Sequence, residues 1–193
     1  RERLGVMGEC YKRLMNDRLY MAPLSAKKPP RNILDIATGV GDWAIQMGDL
    51  FPDSTVLAQT YLQFSQRMCL RTSTSMSKIH KLQRPAILGA NLKEIYERVG
   101  FVDVHQCILK MPINGWASDP RLKQVGWMWV RNMLDGLSGF SYQLLNKTFE
   151  RTSTKIEASL INVRRDLMSP RIHAYMPVFV VWGRKPKSNQ VSV

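Results

Sequence analysis

Asp35, Gly39 and Gly41 lie at the end of a short apolar run, and a helical pattern of apolar residues begins at Trp43. A strand, a glycine-rich turn and a helix N-terminus are typical of a site for a nucleotide-like cofactor. The glycines let the backbone approach a ligand, and the helix start offers unpaired N–H groups with a partial positive charge. From the motif alone, an ordinary tight connection between strand and helix is an equal alternative.

The context of this turn favours the cofactor site. A strand is predicted from Asn32, after a proline-rich connector over residues 22–30, and a second apolar run covers residues 55–58. That spacing is typical of a strand–helix–strand unit with parallel strands.

The segment from Asp35 to Pro52 resembles the first motif of class I S-adenosylmethionine (SAM)-dependent methyltransferases, particularly the fungal LaeA-like group linked to secondary metabolism. The lead-in residues 3–24, with their Leu-x-x-Ala-Pro ending, resemble the same group. So do residues 100–105, 112–126, 170–177 and 181–186. The resemblance implies an α/β, Rossmann-like class I methyltransferase fold with a reduced central sheet, an antiparallel C-terminal strand pair and added helices. It also implies methyl transfer from SAM to a small molecule or a protein side chain.

The resemblance implies seven cofactor-binding positions: Asp35, Ala37, Thr38, Gly39, Gly41, Trp43 and Thr60. Asp35 would hold the charged amino group of SAM through water or the backbone turn; the alternative is a turn-forming Asp. Trp43 would pack on the cofactor or, as is more common, against the sheet. Ala37 replaces the first glycine of the family's turn, and Thr60 stands where an acid would hold the ribose hydroxyls. SAM binding is therefore expected to be weak or lost.

The residues for catalysis are less well defined. His173 is a weak candidate for the base, because it precedes the last strand on the substrate side of the fold. His105 is a lone histidine, for which a structural hydrogen-bonding role is more common. A larger set of tryptophans and methionines could line an apolar substrate pocket or pack between helices: Trp116, Trp127, Trp129, Met128 and Met133.

The central strands of the family are missing. After residue 62 the chain enters a stretch, residues 64–69, that resembles the family's late helical region. Three strand–helix units would take roughly 60–90 residues. Three hypotheses therefore stand: a methyltransferase, a non-catalytic methyltransferase-like regulator or scaffold acting through protein partners, and a truncated inactive product. The exposed sheet edge predicts a protein partner or a homo-oligomer that covers it.

Composition sets the remaining limits. A single domain over residues 1–193 is predicted, with the lead-in helix and cofactor turn in 1–62 and the helical region with the last two strands in 63–193. The 28 basic residues outnumber the 15 acidic ones, but they are dispersed, which favours a solvated surface over a specific nucleic-acid site.

Cys10, Cys69 and Cys107 are scattered, so reduced buried thiols are expected and a metal site is not. No apolar run reaches the ~18 residues of a membrane helix, and a cytoplasmic or nuclear location is expected.

Periodicity predicts the later elements. Helices are expected over residues 91–99, 125–137, 142–149 and 155–168, with a break between Gly136 and Gly139. Strands are expected over 101–112 and 174–183, pairing antiparallel, with the last strand inserted beside the parallel strands. Residues 71–84 are polar and basic and predict a loop.

Overall fold

Helices and strands alternate irregularly in the computed structural model, which describes residues 2–25, 27–36, 38–59 and 89–186. The first half contains α1 (Glu2–Leu14), β1 (Asn32–Ile36), α2 (Asp42–Leu50) and β2 (Thr55–Gln59). The second half contains α3 (Leu92–Arg98), β3 (Val102–Pro112), α4 (Pro120–Phe149), α5 (Ser153–Met168) and β4 (Tyr175–Arg184). These described helices include none that is both long and apolar enough to cross a bilayer.

The first half forms the predicted strand–helix–strand unit. β1 and β2 are parallel, with Ile33 opposite Val56. One face of this pair packs against α2, where Ile33, Met47 and Phe51 are buried together. The prediction of parallel strands flanking the glycine turn is confirmed.

The second strand pair is antiparallel, as predicted, and its register contains one irregularity. Val102 lies opposite Arg184 but His105 lies opposite Trp182, so β3 carries one extra residue. Asp103, within this bulge, has φ 52 and pairs with Arg184. A bulge interrupts the two-residue alternation of a strand.

The expected single reduced sheet is wrong for the described residues, where each strand pair forms its own two-stranded sheet. β4 pairs with β3 and does not lie beside β1 or β2. Each pair instead buries its apolar side on helices. The second cluster unites α1, β3 and α4 through Cys10, Leu14, Met111, Val125 and Trp129.

One long helix replaces the two predicted before residue 150. α4 runs without interruption through Gly136 and Gly139. Its N-cap is Asp119, whose carboxylate accepts a hydrogen bond from the Leu122 N–H at 2.8 Å. The prediction of a break was wrong because a glycine lowers helix propensity without forbidding the helix, and tertiary packing overrides it. Here the missing side chain of Gly136 leaves room for the Phe140 ring.

The other helix predictions hold. α3 ends before Gly100, which has φ 92 as expected of a C-terminal glycine. α5 is capped by Thr152 and buries Ile156 and Leu160 against Leu137 of α4. The loop predicted over residues 71–84 lies outside the described residues.

Candidate functional site

The turn after β1 has the backbone shape that its glycines predict. Gly39 and Gly41 have φ values of 61° and 90°, a region that side chains disfavour. The Gly41 N–H donates to the Thr38 carbonyl at 2.9 Å, which closes the turn. A Cβ on Gly41 would meet nothing within 4 Å. The glycine is therefore required by its dihedral angle, and the space beside it is open.

Two polar oxygens of this turn are buried without a protein partner. Within the described part of the chain, neither Asp35 Oδ2 nor Thr38 Oγ1 has a hydrogen-bond partner. A buried polar atom without a partner costs about 1–3 kcal/mol, and native proteins satisfy most such atoms. Both atoms thus fit a ligand that carries hydrogen-bonding groups.

The start of α2 adds backbone donors to the same place. Gly41 is the N-cap residue of α2, and no side chain accepts a hydrogen bond from this helix end. The first N–H groups of a helix have no partner within it and carry a partial positive charge. They provide donors for a carboxylate beside the orphaned oxygens of Asp35 and Thr38.

Trp43 is held by the protein itself. Its indole Nε1 donates to the Leu19 carbonyl at 2.7 Å, and its ring packs against the cluster of Ile33, Met47 and Phe51. Of the two predicted roles, packing against the sheet is the one observed. Trp43 also lines a cavity of about 390 Å³ between α1 and α2.

Ala37 and Thr60 lie outside the described residues. Their predicted places at the first glycine position and at the ribose position therefore stay predictions. The structure brings together the other five positions of the predicted cofactor site, which belong to the end of β1, the turn and the first turn of α2.

His173 lies away from this turn, directly before β4. Its ring is exposed and stacks on Trp116, with centroids 5.0 Å apart and planes at 19°. Trp116 in turn donates from Nε1 to the Ala174 carbonyl at 2.7 Å. No hydrogen bond or ring contact joins His173 to the cofactor turn in the described part of the chain. His105 similarly stacks on Trp182, at 5.6 Å.

Asn114 is a key residue that the sequence prediction missed. Its side chain is fully buried, and its amide nitrogen lies within 3.0–3.3 Å of the carbonyls of Leu167, Ser169 and Ile172. Its Oδ1 accepts from the Trp116 N–H at 3.1 Å. The Asn-Gly-Trp sequence was the available signal, because asparagine commonly hydrogen-bonds the backbone two residues on.

The predicted apolar pocket of tryptophans and methionines is not formed as one site. Trp129 is buried in the core with Met128 and Met133 packed against that cluster. Trp127 instead has half of its surface exposed. Helix packing, the more common use, is the one observed for Trp129 and both methionines.

The described cysteines are free thiols, and the predicted burial holds for Cys10 but not for Cys107, which is half-buried. Cys10 is fully buried, and burial raises its pKa from 9.0 to about 11. Cys107 is also unpaired, whereas Cys69 lies outside the described residues. The described residues contain no group of metal-binding side chains.

Comparisons with known proteins identify methyltransferases. Methyltransferase pytC of Aspergillus terreus is 22% identical over 262 residues, an alignment that covers 96% of this chain and 80% of pytC. The probable methyltransferase tdiE of Emericella nidulans is 33% identical over 106 residues, covering 55% of this chain and a third of tdiE. The secondary metabolism regulator LAE1 of Cochliobolus heterostrophus is 24% identical over 105 residues, covering 54% of this chain and 34% of that protein.

The alignment with pytC is longer than this chain. It runs over 262 residues, whereas this chain has 193, so at least 69 aligned positions of pytC have no counterpart here. That deficit has the size expected for three strand–helix units. No protein-family profile and no solved structure matches the chain.

Proposed function

We propose that this chain is a member of the LaeA-like group of fungal methyltransferases, a group linked to secondary metabolism to which its relatives point, and that its glycine turn binds SAM. The observation that carries this proposal is the pair of orphaned oxygens, Asp35 Oδ2 and Thr38 Oγ1, at that turn. Two buried acceptors beside an open helix start suit the ammonium, hydroxyl and carboxylate groups of an amino-acid nucleoside. When bound, SAM supplies an electrophilic methyl group on its sulfonium sulfur.

Each residue of the turn has a distinct part in this proposal. The Asp35 carboxylate accepts hydrogen bonds from the positively charged amino group, directly or through water. Gly39 and Gly41 let the backbone approach the ligand. The free N–H groups at the start of α2 receive its carboxylate. Trp43 supports the turn from the side of the sheet.

We expect the affinity to be modest. Thr60 replaces the acid that holds the ribose hydroxyls in the family, and a hydrogen bond to a charged group contributes about 1.5–3 kcal/mol. Its loss corresponds to at least about tenfold in affinity. Submicromolar binding would contradict this part of the proposal.

Calorimetric titration with SAM and S-adenosylhomocysteine tests the site. Asp35→Asn and Thr38→Val should each weaken binding about tenfold, since each removes one acceptor of nearly unchanged shape. Asp53→Asn is the matched control, because Asp53 is exposed in the same strand–helix–strand unit. Thr38→Val should not lower the Tm of the ligand-free protein, because it removes a buried hydroxyl without a partner. Equal affinities in all four proteins would refute the site.

A second candidate function is a methyltransferase-like regulator that does not catalyse transfer. The reason to consider it is the deficit of at least 69 positions relative to pytC, which is large enough to remove strands of the central sheet. A radiolabelled SAM assay with candidate small molecules and proteins distinguishes the two: the regulator binds SAM but labels no acceptor. His173→Ala belongs in the same assay, because a lower rate with unchanged SAM affinity would assign it to catalysis.

A further inference from the structure

Trp127 forms an exposed aromatic platform on α4. Half of its surface is open to solvent. The rest of the indole lies so close to Gly115 that a Cβ at that position would collide with the ring. Gly115 itself is buried. The backbone of the turn therefore fixes the ring in place while leaving part of it accessible.

Two cations flank this platform on the same helix face. Lys123 and Arg131 lie four residues before and after Trp127, one helical turn away on each side. Both are exposed, and neither makes an ion pair with a described residue. The nearest acids on α4 are Asp119, which caps the helix, and Asp135, one turn beyond Arg131. Lys123 and Arg131 are thus the charged residues of α4 nearest to Trp127 in sequence, and the two acids lie one turn further out.

A second aromatic stack adjoins the same turn. Trp116 follows Gly115 directly and carries the His173 ring, with centroids 5.0 Å apart. His173 and Arg171 are both exposed. The turn thus connects two aromatic groups, the Trp127 ring and the Trp116–His173 stack, and Arg171 lies two residues before His173 in the sequence.

We propose that this aromatic and basic surface binds single-stranded nucleic acid without sequence preference. Basic residues that follow a backbone, combined with aromatic rings on which bases stack, are the general means of such binding. The chain's net charge of +13 complements a polyanion. The exposed rings favour a polymer that carries bases over one that carries charge alone. This inference does not depend on SAM binding.

Fluorescence anisotropy with a labelled oligothymidylate and an abasic strand of equal length tests the proposal. The protein should bind oligothymidylate more tightly than the abasic strand. Trp127→Ala should weaken oligothymidylate binding about 5- to 150-fold, the range for one stacked base, and leave abasic binding nearly unchanged. Trp127→Phe should retain most of the affinity. The double variant Lys123→Ala/Arg131→Ala should weaken both complexes and lower the salt slope by about 1.4.

Two matched controls separate this surface from general charge. Tyr142→Ala removes an exposed aromatic side chain about 22 Å along the same helix, and Lys27→Ala/Lys28→Ala removes two exposed cations elsewhere. Tyr142→Ala should change oligothymidylate binding by no more than about twofold. Lys27→Ala/Lys28→Ala should leave the preference for oligothymidylate over the abasic strand unchanged. Equal binding of the abasic strand would overturn the proposal, as would an unchanged salt slope in the Lys123/Arg131 variant. Trp127-dependent binding to phosphatidylserine vesicles without binding to oligothymidylate would also overturn it.

Discussion

Asn114 fastens the end of β3 to the segment that leads into β4. Its side chain is buried and reaches three backbone carbonyls and one N–H. We expect Asn114→Ala to lower the free energy of unfolding by about 2–4 kcal/mol, because several hydrogen bonds of about 0.5–1.5 kcal/mol each disappear together. Urea denaturation measures the change. Asn162→Ala, at an exposed position on α5, is the control and should change stability by less than about 0.5 kcal/mol.

Cys10 should make stability depend on pH in the alkaline range. Its folded-state pKa is raised to about 11 by burial, from 9.0. Between these pH values the unfolded chain loses the thiol proton while the folded chain retains it, so the free energy of unfolding falls as pH rises. Below pH 9 this contribution is fully present. Denaturation of the wild type and Cys10→Ala at several pH values should show their difference shrinking from pH 9 to 11; a constant difference would contradict the prediction.

At the residue scale, the sequence predicted the cofactor turn better than the catalytic residues. Asp35, Gly39 and Gly41 follow from local chemistry, since a positive φ demands glycine and a helix start follows immediately. The environment of His173 depends on Trp116, which is distant in sequence, so spacing alone could not establish it. Asn114 was missed because its acceptors lie more than 50 residues away.

At the element scale, the continuity of α4 predicts that replacing one of its glycines by alanine stabilises the protein. Gly139 lies within the helix, and a Cβ there would meet nothing within 4 Å. Gly139→Ala should therefore raise the free energy of unfolding by up to about 1 kcal/mol, through helix propensity and reduced entropy of the unfolded chain. Thermal denaturation followed by circular dichroism measures this.

Gly100→Ala is the control for Gly139→Ala, because it should destabilise the protein. Gly100 has φ 92, so an alanine there is strained and should cost about 1 kcal/mol or more. If Gly139→Ala destabilised the protein as much as Gly100→Ala, residue 139 would belong to a turn, and the continuous helix would be incorrect.

Element types were predictable here, whereas element arrangement was not. Apolar periodicity located α3, α5, β3 and β4 within a few residues. Whether β4 pairs with β1 depends on which strands separate the two pairs in the sheet. Strand order is set by long-range contacts, so the local sequence pattern does not predict it. The bulge at Asp103 likewise arises from pairing with β4.

At the scale of the whole molecule, no described element packs on one face of the β1–β2 pair. Leu34 and Leu57 lie opposite each other in the register and are 54% and 63% exposed. Alternation along the strands places them on the face opposite α2. A bare apolar sheet face is a site for association.

We expect the purified chain to self-associate through this face, and Leu34→Glu/Leu57→Glu to shift it toward monomer without loss of stability. Sedimentation velocity at several concentrations measures the change. Ile45→Glu/Leu50→Glu is the control, since these side chains are exposed on α2 at the other side of the sheet. A wild-type chain that stays monomeric at high micromolar concentration would contradict the prediction.

The bulge in β3 has a consequence for how this molecule tolerates changes in length. The extra residue of β3, Asp103, pairs with Arg184, and the far end of β3 is held by Asn114. These contacts fix one register for the β3–β4 pair. A slip of one residue would turn Met111 away from the core. Because both contacts lie within the C-terminal half, the register of the β3–β4 pair is set independently of β1 and β2. Insertions or deletions between β2 and α3 should therefore leave this register unchanged, provided that α1 still covers Met111.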